Sequence, residues 1–332
     1  MSDPRVAIVG ATGAVGHEFL RILEDRQFSM RSLKLLASPR SAGKSLPFRG
    51  EDHVVEAVND ESFDGIDVAF FSAGGSTSVA FAHKAVAAGC VVIDNSSAFR
   101  MDPHVPLVVP EVNVAALAGH QGIIANPNCS TIILVLALQP LRAAAGLKSV
   151  VVSTYQAASG AGQRAMDELY GSTSALLAGE AVQQPEALPQ SLAFNLFPHV
   201  DVFMDDGFTR EEDKMLLELR KILELPKLPV DATCVRVPIA RCHSESVAVE
   251  LERVLSVSEA QALFRAAPGL ELLDLPKENR YPMPTAYAGR DEVAVGRVRL
   301  GRVFEPGLTF WVVGDQLKKG AALNAVQIAE AL

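Results

Sequence analysis

Cysteine is scarce in this 332-residue chain, which has only Cys90, Cys129, Cys234 and Cys242. None of the four makes a CxxC pair, and together they are too few and too scattered for the disulfide framework of a small secreted domain. Free thiols in a reducing compartment are the expectation. Long apolar runs are missing too. The longest, Ile132 to Leu138, falls well short of the roughly 20 residues that span a bilayer. Met1 to Arg5 lead straight into a strand-like run with no charged-then-apolar leader, so a cytoplasmic location is expected. Positive charge is in deficit. A formal net charge of -9 opposes nonspecific attraction to nucleic acid or to an anionic membrane. Any anionic ligand must then be held by local arginines, lysines or backbone amides. Internal repeats and low-complexity segments are absent.

What is present is an ordinary globular balance, 49% apolar and 21% charged, in a chain long enough to split into two domains. Its first third alternates strand and helix signals. Val6–Val9, Leu33–Ala37, Val68–Phe71, Val91–Asp94 and Ile123–Asn126 read as short buried strands, and Ala14–Asp25 and Thr77–Ala88 as helices. Such alternation predicts a parallel sheet covered on both faces. Ser130–Leu141 is apolar nearly all round and reads as a buried helix. From about Ser149 the pattern changes. Val247, Val249 and Leu251 alternate with polar or small residues, the mark of a half-exposed strand. Similar runs at Glu292–Leu300 and Leu308–Val313 predict a mixed or antiparallel sheet in an α+β domain. Gly179–Gln190 reads as a surface loop, and Gly320–Leu332 as a helix that packs back on the first domain.

Gly10-Ala11-Thr12-Gly13-Ala14-Val15-Gly16 joins the first strand to the first helix. Glycines there permit a tight turn and let the backbone approach a pyrophosphate, while the helix start supplies amide donors. A plain βα turn has the same glycines, but the position after strand one favours a dinucleotide. The second strand ends at Ser38-Pro39-Arg40-Ser41. An NAD enzyme usually places a carboxylate there for the ribose 2′-hydroxyl. An arginine between two hydroxyls suits a 2′-phosphate instead, so NADP is the expected cofactor; the bland alternative is an exposed polar loop.

Asn126-Pro127-Asn128-Cys129-Ser130-Thr131 lies between a strand and the buried helix. Pro127 biases Asn126 away from helical geometry, so the helix should start near Cys129. A thiol at a helix start ionises more readily, and the thiolate is the nucleophile. The same amides, with Asn128, suit an oxyanion next to the sulfur. Cys90, Cys234 and Cys242 read as small core residues. A nucleophilic thiol needs a base, and His243 is the candidate because it closes Arg236-Val237-Pro238-Ile239-Ala240-Arg241-Cys242-His243. In one unbroken strand Arg236 and His243 would face opposite ways. Pro238 makes a break or bulge the expectation, which lets both face one site.

These segments together resemble the aspartate-semialdehyde dehydrogenase family. The resemblance runs through Gly10–Gly16, Ala37–Lys44, Asp94–Arg100, Asn126–Thr131, Tyr155–Gly162, Phe194–Lys214, Arg236–His243 and Gly314–Ala329. It implies a Rossmann-type NADP-binding domain with a parallel sheet (1–128 with a C-terminal segment 314–332) and an α+β catalytic and dimerisation domain with a mixed sheet (129–313). It implies reversible, NADPH-dependent reduction of L-aspartyl-4-phosphate to aspartate 4-semialdehyde with release of phosphate, on the route to lysine, methionine and threonine. A homodimer or homotetramer is implied as well, and no metal. Cys129 would form the thioester, His243 handle the proton and Gln156 orient the intermediate. Arg236 would clamp the substrate carboxylate and Glu211 its amine, although Glu212 is adjacent. Lys214, Arg100 and Asn128 would hold the departing phosphate. Cofactor contacts are implied at Gly10, Thr12, Gly13, Ala14, Val15 and Gly16, at Ser38, Arg40 and Ser41, at Ser72 and Gly74, and at Ser159 and Gly160. Asp315-Gln316 replaces the Asp-Asn of many members, with Gln316 or Asn324 as the nicotinamide contact.

From the residues alone, Glu211 and Lys214 are also readable as an i,i+3 salt bridge on an exposed helix start, and Arg100 as a solvated loop residue. Two competing functions stand beside the family reading. One is a reductase of another acyl phosphate or acyl thioester, such as N-acetylglutamyl phosphate or malonyl-CoA. An acetylated substrate lacks the amine that Glu211 would bind. The other is a non-catalytic NADP-binding paralogue, against which Cys129, Gln156, Arg236 and His243 stand together.

Overall fold

The computed structural model describes residues 3–332. The chain divides into two compact units, Met1–Asn128 with Gly320–Leu332, and Cys129–Lys319. The C-terminal return to the first unit therefore begins at Gly320, later than the 314 expected from sequence, because the last strand of the second unit runs through Gly314.

The first unit is built on β1 (Arg5–Val9), β2 (Ser32–Ala37), β3 (Ser45–Phe48), β4 (Glu51–Ala57), β5 (Val68–Phe71), β6 (Val91–Asp94) and β7 (Ile123–Ala125). They lie in the order β3-β4-β2-β1-β5-β6-β7, all parallel except the β3–β4 hairpin. Helices α1 (Ala14–Asp25), α2 (Gly75–Ala87) and the short α3 (Pro110–Asn113) connect the strands. Every residue of β5 and β7 is buried, as a parallel sheet covered on both faces requires. Phe19 of α1 stacks on Phe70 of β5 with ring centroids 4.7 Å apart. The chain order reverses at β1, which pairs with β2 on one side and β5 on the other. That reversal opens the crevice in which doubly wound sheets bind ligands.

The second unit begins with α4 (Cys129–Ala145). It continues with β8 (Leu147–Gln156), α5 (Gln163–Ala178), α6 (Arg210–Ile222), β9 (Val230–Arg236), β10 (His243–Leu251), α7 (Val257–Ala266), β11 (Leu270–Leu272), α8 (Pro284–Tyr287), β12 (Val293–Leu300) and β13 (Gly307–Gly314). Six strands form a mixed sheet in the order β11-β12-β13-β10-β8-β9. Ser130 through Leu138 of α4 are all buried, so the helix packs on most sides as its sequence foretold. Residues 179–190 carry no helix or strand. The C-terminal helix α9 (Leu323–Glu330) belongs to the first unit, where Val326, Ile328 and Ala329 join the core of α1 and β1. Among the described residues no helix is long and apolar enough to cross a membrane.

Candidate active site

In the first unit, Gly10 adopts φ +93°, and a Cβ there would lie 2.5 Å from the Ser72 carbonyl oxygen at the end of β5. At Gly16 a Cβ would meet the carbonyl oxygens of Gly10 and Ala11, each at 2.4 Å. Both contacts are with backbone, which cannot yield cheaply. Gly13 is different. A Cβ there would sit in ordinary contact at 3.4 Å, and the residue serves as N-cap of α1. His17 is the first residue whose amide bonds back to Gly13. The N–H groups of Ala14, Val15 and Gly16 therefore lack helical partners of their own and suit an anion. The Thr12 hydroxyl donates to Ser41 Oγ at 3.3 Å, tying this loop to the exposed turn holding Ser38 and Arg40. Gly74, φ +88°, caps α2 beside Ser72. This is a cradle that fits a dinucleotide pyrophosphate, with the exposed Arg40 just after β2 and no carboxylate in Ser38–Ser41.

Asn128 and Arg100 also belong to the first unit, and both are buried. Arg100 is no solvated loop residue. Its Nε donates to the Asn126 carbonyl at 2.9 Å and its Nη2 to the Asn95 carbonyl at 2.7 Å. Asn324 braces the same loop, donating to Asn126 Oδ1 at 2.6 Å and to the Val108 carbonyl at 2.9 Å. Both its amide protons are thus taken by the protein.

In the second unit Cys129 is the first residue of α4. Its Sγ lies 3.4 Å from Nε2 of His243. His243 is completely buried at the start of β10, and its Nδ1 accepts a hydrogen bond from the Ala157 N–H at 3.1 Å. A neutral ring that accepts at Nδ1 carries its proton on Nε2, so the ring presents an N–H to the sulfur. Burial, helped by the positive charge of Arg236, holds His243 well below the ordinary imidazole pKa.

Arg236 and His243 do not share a strand. Arg236 ends β9 and His243 opens β10, with residues 237–242 between them and Cys242 at φ +76°. β8 separates the two strands. Gln156 pairs with Arg236 on one side, and the next rung beyond Ser244–Tyr155 sets it opposite His243 on the other. Histidine, glutamine and arginine therefore form one row across the sheet. The Ala157 peptide locks two of them, because its carbonyl accepts from Arg236 Nη1 at 2.7 Å. Buried Arg236 Nε has no acceptor among the described residues. Burial lowers the Arg236 pKa, with Glu211 opposing.

Glu211 and Glu212 differ in their partners. Glu212 closes a capping box with Thr209, and its other oxygen accepts from the Cys234 N–H at 2.9 Å. Glu211 is buried at the start of α6, where its Oε1 accepts from Gln156 Nε2 at 3.2 Å and its Oε2 from Lys214 Nζ at 3.2 Å. The i,i+3 pair is real but not an exposed ornament. Lys214 also reaches Asp201 Oδ2 at 2.5 Å. Burial opposes the Lys214 charge, but Glu211 and Asp201 outweigh it and raise its pKa. Asp201 escaped the sequence reading; it sits in an irregular segment with φ +67°, and no spacing links it to α6.

Ser159, Gly160 and Gln316 are placed by the same turn. Ser159 donates its N–H to the Ala240 carbonyl at 3.2 Å. A Cβ on Gly160 would lie 3.0 Å from Arg236 Nη1 and 3.1 Å from His243 Cε1. Gln316 is buried, accepting from the Cys242 N–H at 2.8 Å and donating to Ser159 Oγ. Its amide braces the loop that delivers His243. Cys90, Cys234 and Cys242 are buried as expected, and burial pushes the thiols of Cys90 and Cys242 up to about 12. Among the described residues no group of acids, histidines and cysteines could hold a metal ion.

A doubly wound unit with a dinucleotide cradle and a mixed-sheet unit with a thiol–imidazole pair define a class. Residues 5–120 match the family model described as semialdehyde dehydrogenase, NAD binding domain, and residues 138–319 match semialdehyde dehydrogenase, dimerisation domain. The chain is 56% identical over 331 residues to the aspartate-semialdehyde dehydrogenase of Aquifex aeolicus, covering 99% of this chain and 97% of that one. The solved structure of aspartate semialdehyde dehydrogenase II from Vibrio cholerae, complexed with ASA, superposes with a TM-score of 0.97 at 44% identity, covering 100% of this chain and 98% of that one. The enzyme from Candida albicans, solved with NADP, gives 0.79 at 26% identity over 100% and 98% of the two chains. The chain belongs to the aspartate-semialdehyde dehydrogenase family.

Proposed function

We propose that the protein interconverts L-aspartyl-4-phosphate and L-aspartate 4-semialdehyde through a thioester on Cys129, using NADP, in the biosynthesis of lysine, methionine and threonine. The observation that carries this reading is Cys129 Sγ at 3.4 Å from a His243 ring fixed by Ala157, in one row with Gln156 and Arg236. The Vibrio cholerae relative complexed with ASA and the Candida albicans relative with NADP support it.

In the reductive direction the Cys129 thiolate attacks the acyl carbon. The carbon–sulfur bond forms, the bond to the phosphate oxygen breaks, and phosphate departs. Bound NADPH supplies the hydride that reduces the thioester carbon. The resulting hemithioacetal collapses as the carbon–sulfur bond breaks, releasing the aldehyde and the thiolate. His243, kept neutral by burial, offers its Nε2 proton to sulfur and to the oxygen on which charge develops. Arg236 holds the substrate carboxylate with the Nε donor, which has no acceptor among the described residues, and a planar fork suits that task. Glu211 takes the ammonium group. The phosphate role falls to Lys214, Arg100 and Asn128. Arg40, with Ser38 and Ser41, selects the 2′-phosphate. Gln316 and Asn324 act as braces, because their amides are engaged by the protein. The working form is a cytoplasmic homodimer or homotetramer.

The test is NADPH formation from aspartate semialdehyde, phosphate and NADP+, with each omitted in turn. All three should be required. Turnover without phosphate, or a preference for an N-acetylated semialdehyde, contradicts the reading.

A further inference from the structure

Beneath the row of His243, Gln156 and Arg236 runs a second polar row that the reaction above does not use. In register, Glu245 of β10 faces Thr154 of β8, and Thr154 faces Cys234 of β9. Each stands two positions along its strand from a member of the upper row, so strand alternation puts both rows on one face. All three side chains are completely buried.

Gln156 Nε2 donates to Thr154 Oγ1 at 3.3 Å as well as to Glu211 Oε1 at 3.2 Å. An amide nitrogen has two protons, so the protein takes both. The Thr154 side chain stands level with Cys234, whose thiol donates to Met215 Sδ at 3.7 Å. Thr154 Oγ1 meets the Gln156 amide at its nitrogen, as an acceptor, and Glu211 is an acceptor by nature. A reversed amide would set its oxygen against the Glu211 carboxylate. Glu211 alone holds one amide proton and leaves the other free to turn.

We infer that Thr154 is a positioning residue for the reaction, fixing the Gln156 amide so that its carbonyl oxygen, not its nitrogen, meets the substrate. This rests on the reading of Gln156 as the group that orients the reacting intermediate. The test is steady-state kinetics of phosphate-dependent NADP+ reduction on Thr154→Val, Thr154→Ser and Gln156→Ala, with Thr154→Val also made in the Gln156→Ala background. Thr154→Val should lower kcat about tenfold, the worth of one hydrogen bond at about 1.4 kcal/mol per decade. KM for semialdehyde and for NADP+ should stay within about twofold. Thr154→Ser should return kcat to within about threefold. In the Gln156→Ala background Thr154→Val should cost less than about twofold, since the residue acts through that amide. If Thr154→Val does not fold, Thr154→Ala is held to the same criteria. A wild-type kcat for Thr154→Val, a serine variant as slow as the valine one, or an equal loss in both backgrounds overturns the inference alone. A Gln156→Ala enzyme at the wild-type rate overturns the role of Gln156 and this inference together.

Discussion

Arg236 is the side chain on which the proposed choice of substrate rests. It is buried, its Nη1 is tied to the Ala157 carbonyl, and its Nε has no acceptor among the described residues. Lysine keeps the charge but loses the fork, and a buried carboxylate left half-matched costs on the order of 3 kcal/mol. Arg236→Lys should therefore lower kcat/KM for aspartate semialdehyde by about two orders of magnitude, while KM for phosphate changes less than about threefold. Saturation curves for both substrates check this; a normal semialdehyde curve would remove Arg236 from the carboxylate site. At this scale the sequence was legible where residue type and spacing coincide. Cys129 announced itself by Pro127 and the apolar helix behind it. Glu211 did not separate from Glu212: Thr209 to Glu212 has the spacing of a capping box, but the bond of Glu212 to the Cys234 N–H is visible only in the folded chain. Asp201 carried no signal, since its link to Lys214 crosses an irregular segment.

Among the elements, the loop from β1 to α1 and the end of β2 would, on the proposed reading, divide cofactor binding into two separable parts. Gly16 lets the helix pack against the loop, and a methyl group there meets two carbonyl oxygens. Gly16→Ala should weaken NADP and NAD alike, by at least tenfold each. On the proposed reading Arg40 would act on the 2′-phosphate alone, through charge-assisted bonds worth roughly 1.5–3 kcal/mol. Arg40→Ala should weaken NADP by one to two orders of magnitude, at about 1.4 kcal/mol per decade, and leave NAD nearly unchanged. Titration of each variant with both cofactors decides, and equal losses for Arg40→Ala would refute its role. The strands of the first sheet were readable as short buried runs because a covered parallel sheet demands them. The hairpin of β3 and β4 was not, because its exposed positions include Ser45, Pro47, Glu51, Asp52 and Glu56, which break any apolar run. Arg236 and His243 were expected on one face through a break at Pro238. They reach it on separate strands, an outcome that register fixes and spacing cannot.

Across the whole molecule, burial in the mixed sheet disfavours the charged forms of two titratable groups, at some cost in stability. Burial pushes Glu245 well above the ordinary carboxyl value, and neither of its oxygens has a partner among the described residues. A group whose folded pKa is raised stabilises fully below its unfolded value and loses that contribution as pH rises toward the folded one. Glu245→Gln, permanently neutral, should thus gain in Tm over the wild type as pH increases from about 5; calorimetry across that range checks it, and a pH-independent difference would contradict it. His243 works the other way. Its folded pKa is depressed, so protonation favours the unfolded chain and stability falls as pH drops below about 6.5.

A thioester on Cys129 is tested best by withholding phosphate. Aspartate semialdehyde and excess NADP+ are mixed rapidly with the enzyme while NADPH absorbance is followed, and the quenched protein is digested and weighed. A burst of about one NADPH per subunit is expected, then near-arrest, with an aspartyl group on the peptide containing Cys129 that added phosphate removes. Cys129→Ala should show neither burst nor adduct while still binding NADP. A burst that persists in Cys129→Ala, or an adduct on any other peptide, would contradict it.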